Sequence, residues 1–148
     1  MTTVVPSVTI VRRVKAAPER VFDAWTRPEA LARWFGPHHT RVDSAETDAR
    51  QDGGFTIRLI ENNGDWHQVS GRYTEFDPPR LLAFTWTWVA TPERESRVTV
   101  SLRPVPEGTE VTLVHDRFAD DVTATNHRRG WTESMERLAG FFTEADAA

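Results

Sequence analysis

A chain of 148 residues is long enough to enclose one sizeable hydrophobic core, and we predict a single domain over residues 1–148. The formal net charge is -4 and the 18 basic side chains are dispersed, which argues against nucleic-acid binding. The absence of cysteine excludes disulfides, thiolate metal sites and a cysteine nucleophile. No apolar run approaches the roughly 20 residues of a membrane span, and the N-terminus lacks a secretory pattern. We therefore expect a cytoplasmic protein.

The first predicted elements are one strand and two short helices. Residues 8–15, VTIVRRVK, are dominated by β-branched residues, which are typical of a strand. Pro18 and Pro28 each suit a first helical position, and apolar residues recur at helical spacing in PERVFDAWT and PEALARWF. Gly36 followed by Pro37 predicts the end of the second helix, with the glycine in a left-handed conformation.

From about residue 40 to residue 118 the pattern changes to strands joined by short turns. Asn63-Gly64 is a strong hairpin signal within this part of the chain. Connections this short join antiparallel neighbours, because a parallel crossover needs a dozen or more residues. Residues 121–145 then carry apolar side chains at helical spacing. The sequence predicts an α+β protein in which a sheet buries its apolar face against a long C-terminal helix.

Three large aromatic residues alternate along one predicted strand. Phe84, Trp86 and Trp88 share one face of that strand, and a three-residue connection around Glu93 would place Trp86 beside Val100. A change of one residue in this connection would turn the intervening threonines inward and leave the tryptophans in water. Because burial of a large aromatic side chain stabilises by about 2–3 kcal/mol, we predict that the aromatic stripe faces the core.

The two following strands extend this face. A hairpin tip at Glu107-Gly108 predicts the pairs Leu102 with Leu113, Val100 with His115, and Val98 with Arg117. His115 and Arg117 then lie at the end of an apolar face, where a buried polar group without a partner costs about 1–3 kcal/mol. Two interpretations stay open: a structural hydrogen bond or ion pair, or a polar contact to a ligand in a mostly apolar pocket.

Gly130 falls inside the predicted C-terminal helix. Glycine costs about 0.5–1 kcal/mol relative to alanine at such a position. Its presence therefore predicts close approach of the helix to the sheet or to a bound molecule.

Five segments occur in the order APERVFDAWTRPEALARWFGP, GGFTIRL, GRYTEFDPPRLLAFTW, GTEVTLVH and HRRGWTESMERLAGFF. Together, over about residues 8–143, they resemble the bacterial family named after the C-terminal domain of the activator of the heat-shock protein 90 ATPase. That family belongs to the START and birch-pollen-allergen superfamily. The resemblance implies a helix-grip fold, with a curved antiparallel sheet wrapped around a long C-terminal helix and two short helices after the first strand. It also implies a hydrophobic cavity between helix and sheet.

The candidate site combines this resemblance with the strand faces. The resemblance places Trp34 near the cavity mouth, Phe84 and Trp86 on the sheet wall, and Trp131 and Met135 on the terminal helix. The predicted ligand-binding residues are Trp34, Phe84, Trp86, Trp88, Val100, His115, Arg117, Trp131 and Met135.

We predict no catalytic residue, no metal site and no cofactor. His38 and His39 are adjacent, so in an extended segment their side chains point to opposite sides, and no spaced third ligand accompanies them. The sequence contains no GxSxG, Walker or GxGxxG pattern. His115 could serve as a general base, but Asp116 faces the other side of the strand and is a poor partner for it.

The predicted function is the binding of a small hydrophobic or aromatic molecule, with His115 or Arg117 anchoring a polar end. One alternative is a pocket enzyme of the aromatase/cyclase sort. Another is a chaperone-partner role, which the family name suggests. We expect a small hydrophobic partner, no nucleic acid and no membrane span, and a homodimer is left open.

Overall fold

The computed structural model describes residues 7–147 and arranges them as seven strands and three helices. The strands are β1 (Val8–Val14), β2 (Thr40–Thr47), β3 (Gly54–Glu61), β4 (Trp66–Asp77), β5 (Leu81–Trp88), β6 (Ser96–Val105) and β7 (Gly108–Asp116). The helices are α1 (Pro18–Thr26), α2 (Pro28–Trp34) and α3 (Asp121–Ala147). Within the described range, no helix is long and apolar enough to cross a membrane.

The strands form one antiparallel sheet in the order β1-β7-β6-β5-β4-β3-β2. The first strand thus pairs with the last, with Ile10 opposite Leu113. Register shifts between Val42 and Ser44 in β2 and after Tyr73 in β4 interrupt the ladders. Such irregularities bend strands and increase their twist, and the sheet curls around α3. The predicted α+β helix-grip fold is confirmed.

Helix α1 coincides with the predicted segment, and α2 begins at Pro28 as predicted and ends at Trp34, one residue before the end of the predicted segment. Pro18 and Pro28 occupy their first turns. Trp34, at the end of α2, is fully buried and donates its Nε1–H to the carbonyl oxygen of Ala24 at 2.9 Å, which joins the two helices. Gly36 has φ +105°, so the predicted left-handed stop is confirmed.

The aromatic side of β5 faces the core. Phe84 and Trp86 are only 5% and 4% exposed, and Trp88 is half-buried. Their orientation agrees with the prediction that burial of these rings decides which face points inward.

The predicted strand partners were wrong although the face was right. Trp86 pairs with Ser96 rather than Val100, because the connection between β5 and β6 spans residues 89–95 and not three residues. Val100 pairs with Leu113 rather than His115. The reason is that the turn between β6 and β7 consists of residues 106 and 107, with Val105 and Gly108 as the last pair before it. Both errors shift the pairing by an even number of residues, so the inward face is preserved.

Arg117 does not belong to the inward face. Strand β7 ends at Asp116, and Arg117 follows it with φ +67° and an exposed side chain. His115 is the residue that pairs with Val98. The predicted pairing of Val98 with Arg117 is therefore wrong.

Helix α3 packs on the inward face of the sheet. Asp120 caps its start, with Oδ1 accepting the backbone N–H of Thr123 at 2.8 Å. Trp131, Met135 and Leu138 recur at helical spacing and are buried. The predicted long C-terminal helix is thus confirmed, and its apolar stripe completes the core.

Candidate functional site

A cavity of about 250 Å³ lies between the sheet and α3. Four aromatic rings contribute to its walls: Trp86 and Trp88 from β5, Trp131 from α3, and Phe35, which follows α2. Its other lining residues are Gly36, Pro37, His39, Thr40, Leu59, His67, Asn126, His127, Gly130 and Ser134. Such a concave, largely apolar space with a few polar groups is typical of small-molecule sites.

Trp86 is the centre of the aromatic wall. Its ring centroid lies 5.1 Å from that of Trp131 and 5.4 Å from that of Trp88, with the latter pair perpendicular. The ring of Phe35 lies 6.0 Å away on another side. Tilted and edge-to-face pairs at these distances are favourable, so the wall is held by its own ring contacts.

His115 supports this wall from behind. It is completely buried, and its Nδ1 accepts the Nε1–H of Trp131 at 2.9 Å. Its Nε2 lies 2.7 Å from Oγ of Ser96, which is 3.3 Å from the carbonyl oxygen of Trp86. Because an indole N–H can only donate, Nδ1 is unprotonated and Nε2 carries the proton. The chain of donors therefore runs from Trp131 through His115 and Ser96 to Trp86.

This arrangement makes His115 structural. Burial, reinforced by nearby His127, lowers the pKa of His115 to about 2. In a Ser-His-Asp triad an acceptor holds the Nδ1 proton, so that Nε2 can take the proton of the serine. Here Trp131 donates to Nδ1, and Nε2 already holds a proton. The geometry thus realises the structural hydrogen bond, one of the two interpretations above, and gives His115 no role as a general base.

His127 forms a second indole–imidazole bond that the sequence analysis missed. Its Nε2 accepts the Nε1–H of Trp88 at 2.9 Å, and its Nδ1 donates to the carbonyl oxygen of Thr123 at 2.8 Å. Burial lowers the pKa of His127. Helix α3 is consequently tied to β5 through His127 and to β7 through Trp131.

Residues 35–40, the mouth loop, form one side of the cavity and are held by α3. Nη1 of Arg137 lies 3.1–3.4 Å from the carbonyl oxygens of Phe35, Gly36, Pro37 and Thr40. Partial burial lowers the pKa of Arg137. Oε1 of Glu133 accepts the backbone N–H of His38 at 3.1 Å. The helix therefore sets the position of the mouth loop.

A carboxylate bridges two histidines beside the mouth loop. Nε2 of His39 lies 3.2 Å from one oxygen of Glu61, and Nε2 of His67 lies 2.7 Å from the other. The hydrogen bond from His67 is the main cause that lowers the pKa of Glu61. Over the described residues, no group of three or more His, Asp or Glu side chains could hold a metal ion. Through these two contacts the carboxylate of Glu61 on β3 is bonded to His67 on β4 and to His39 in the mouth loop.

The helix side of the cavity is formed by small and polar residues. Asn126, Gly130 and Ser134 follow one another at spacings of four and lie along one side of α3. A Cβ atom placed on Gly130 would lie 3.6 Å from Cγ of Pro37. This is an ordinary van der Waals distance, and it is to the mouth loop and not to the sheet, so the predicted close approach to the sheet is not seen at Gly130. Gly130 instead lines the cavity.

Four of the predicted site residues line a cavity. Trp86, Trp88 and Trp131 line the cavity between the sheet and α3. Phe84 lines a smaller void of about 10 Å³, which also touches Trp86.

The other five predicted residues lie elsewhere. Trp34, Val100, His115 and Met135 are buried in the core and do not line the cavity between the sheet and α3, and Arg117 is exposed beyond β7. Large apolar and aromatic residues occur both in the cavity lining and in the core behind it. The sequence pattern therefore did not distinguish lining residues from core residues.

Several lining residues were missed. Spacings of four from Trp131 and Gly130 along the helix would have found His127, Asn126 and Ser134. His67 on β4 carried no comparable signal, because its place at the cavity depends on the long-range curl of the sheet.

An antiparallel sheet curled around a long C-terminal helix, with a cavity between them, defines the helix-grip class of the START and birch-pollen-allergen superfamily. The family model described as "Activator of Hsp90 ATPase homolog 1-like protein" matches residues 15–143. The chain belongs to this family, and the predicted membership is confirmed.

Solved structures of similar proteins agree with this assignment. A protein from Chromobacterium violaceum has 26% identity and a TM-score of 0.83, over 93% of this chain and 97% of that one. The AHSA1 protein from Silicibacter pomeroyi has 29% identity and a TM-score of 0.81, over 90% and 95% of the two chains. CalU16 from Micromonospora echinospora has 25% identity and a TM-score of 0.70, over 92% and 75%. No curated protein matches the chain.

Proposed function

We propose that the protein binds a small, neutral aromatic molecule in the cavity between sheet and α3. The observation that carries this proposal is that Trp86, Trp88 and Trp131 wall a space of about 250 Å³. Apolar cavities of about 150 Å³ hold benzene, so a cavity of this size suits roughly two fused rings. Trp131 packs on Trp86, and both rings still line the cavity together with Trp88 and Gly130.

The chemistry of the lining supports a neutral ligand. Within the described part of the chain, the lining contains no Lys, Arg, Asp or Glu. A formal charge deep in such a site would lose its hydration without gaining an ionic partner. The aromatic walls instead offer ring contacts, each favourable by about 0.5–1.5 kcal/mol beyond area burial.

Titration with naphthalene, followed by tryptophan fluorescence and calorimetry, tests this proposal. We expect saturable quenching, because three tryptophans line the cavity. Gly130→Leu should weaken binding about tenfold or more, since its side chain would project into the space that Gly130 leaves open. Gly140→Leu is the matched control, because a Cβ atom on Gly140 would meet nothing within 4 Å and this residue does not line the cavity.

Absence of binding by naphthalene and by smaller and larger aromatic hydrocarbons would contradict the proposal. Equal affinities of the Gly130→Leu and Gly140→Leu proteins for naphthalene would show that the ligand binds outside this cavity. The pocket-enzyme alternative relied on His115, whose proton arrangement does not favour it. The chaperone-partner alternative rests on the family name, and no specific contact among the described residues favours it.

A further inference from the structure

The hydroxyl groups that line the cavity already use their O–H protons in hydrogen bonds to backbone carbonyl oxygens. Oγ1 of Thr40 donates to the carbonyl oxygen of Pro37 at 2.8 Å, and Oγ of Ser134 donates to that of Gly130 at 2.9 Å. Thr40 is 8% exposed and Ser134 is 3% exposed, and both residues line the cavity. A hydroxyl has one proton and two lone pairs. Both groups are therefore left as acceptors.

The ring nitrogens of the wall offer no donor to the cavity either. Trp88 and Trp131 donate to His127 and His115, and both nitrogens of His127 are engaged. Nε1 of Trp86 has no hydrogen-bond partner among the described residues, but it is sealed from water. An atom facing a cavity that admits water would be accessible to water. This N–H is consequently directed away from the cavity.

The mouth continues the same pattern. The carboxylate of Glu61, whose pKa is lowered mainly by His67, is an acceptor for the Nε2–H groups of His39 and His67. The amide of Asn126 offers both a donor and an acceptor, but it lies at the exposed rim.

From this distribution of protons we infer that the cavity selects aromatic molecules carrying a hydrogen-bond donor, such as a phenolic hydroxyl or an indole N–H. The donor would bond to Oγ of Ser134 while the rings pack on Trp86 and Trp88. A ligand with only acceptors would face lone pairs and leave its own acceptor unpaired. This inference rests on the proposed function and adds the polar chemistry of its ligand.

Calorimetric titration of the full chain with three two-ring probes at about pH 7.5 tests the inference. The probes are 2-naphthol, which donates, 2-methylnaphthalene, which has a methyl group in place of the hydroxyl, and quinoline, which only accepts. We expect 2-naphthol to bind about 3- to 10-fold more tightly than 2-methylnaphthalene, as one net hydrogen bond allows. Quinoline should bind no more tightly than 2-methylnaphthalene. Hydrophobicity alone would favour 2-methylnaphthalene over 2-naphthol.

Ser134→Ala assigns the acceptor, and Thr132→Ala is its control. Thr132 also bonds back to a helix carbonyl, that of Arg128 at 2.7 Å, but it is exposed and does not line the cavity. Ser134→Ala should remove most of the preference for 2-naphthol and leave the affinity for 2-methylnaphthalene within about twofold. Thr132→Ala should change neither affinity.

Two results would overturn the inference while leaving the proposed function intact. One is binding of 2-methylnaphthalene or quinoline as tight as that of 2-naphthol. The other is a loss in Ser134→Ala that is equal for 2-naphthol and 2-methylnaphthalene, which would make Ser134 a packing residue. Failure of all three probes to bind would instead contradict the proposed function itself.

Discussion

The protonation state of a single side chain in this protein is determined by the groups around it. His115 is neutral because Trp131 donates to one nitrogen and burial opposes a second proton. The same residue on an exposed strand end would be an ordinary titrating histidine. Its environment turns it from a candidate acid or base into a fixed link between Trp131 and Ser96.

This protonation state predicts an acid-sensitive stability. The pKa of His115 is depressed to about 2 in the folded state from 6.5, so below about pH 6.5 the unfolded chain binds a proton that the folded chain does not. The free energy of unfolding then falls by about 1.4 kcal/mol per pH unit for this group. Between pH 7 and pH 5 the wild type should lose about 2 kcal/mol more than His115→Gln, which keeps a donor and an acceptor but cannot titrate in this range.

Urea unfolding at the two pH values measures this difference. His127 contributes in the same direction in both proteins, since its pKa is also lowered. It therefore cancels in the comparison. Equal losses of stability in wild type and His115→Gln would show that His115 is not held neutral by the fold.

At the scale of elements, α3 does more than fill the groove of the sheet. It bonds to β5 through His127, to β7 through Trp131 and to the mouth loop through Arg137. The cavity exists because these attachments fix the helix on three sides while Gly130 provides no side chain between them. The aromatic residues of β5 thus have two roles. They pack in the core against Trp131, and they line the cavity on the side of the mouth loop.

Replacement of Arg137 by lysine should loosen the mouth loop. Lysine lacks the planar guanidinium that reaches several carbonyl oxygens at once, and loss of charged hydrogen bonds should lower the free energy of unfolding by about 1–3 kcal/mol. Backbone amides of residues 36 and 38–40 should exchange faster with deuterium. Arg129→Lys is the control on the same helix, because the side chain of Arg129 is 86% exposed, and we expect a change within about 0.5 kcal/mol there.

Urea unfolding and hydrogen exchange of the two variants decide this prediction. Equal stabilities and equal exchange in Arg137→Lys and Arg129→Lys would mean that the loop holds its position without the guanidinium. Faster exchange in Arg137→Lys without a loss of global stability would show that Arg137 restrains local opening of the mouth loop, since local opening requires less free energy than global unfolding.

At the scale of the whole molecule, the ends of the described chain are joined through the sheet. Strand β1 pairs with β7, and the buried residues of α3 pack in the same core cluster as those of the sheet. Ring contacts continue from Trp25 on α1 through Trp131 on α3 to Trp86 on β5. Removing any of these elements would expose the core that the others share.

We therefore predict that the protein unfolds as one cooperative unit, in keeping with a single domain. Tryptophan fluorescence, which reports the aromatic core, and far-UV circular dichroism, which reports helices and strands, should give superimposable urea transitions. Two separated transitions would show that part of the chain folds independently.

Local chemistry was sufficient to predict the elements and the inward face. Gly36 and Gly64 marked turns through the positive φ angles that glycine tolerates. The alternation at Phe84, Trp86 and Trp88 identified the buried side of β5, since strand periodicity is two. These features depend on residues near one another in the chain.

The strand partners and the cavity lining were decided only by the tertiary structure. Trp86 meets Ser96 and not Val100 because of the length and path of a connection that no short pattern encodes. Phe35, which follows α2, meets His67 of β4 and Ser134 of α3 at the cavity, although these residues are far apart in sequence. The sequence by itself determined which side chains are buried on folding. Which of them left a space between them depended on long-range packing, because a cavity is the volume that remains when all the elements have met.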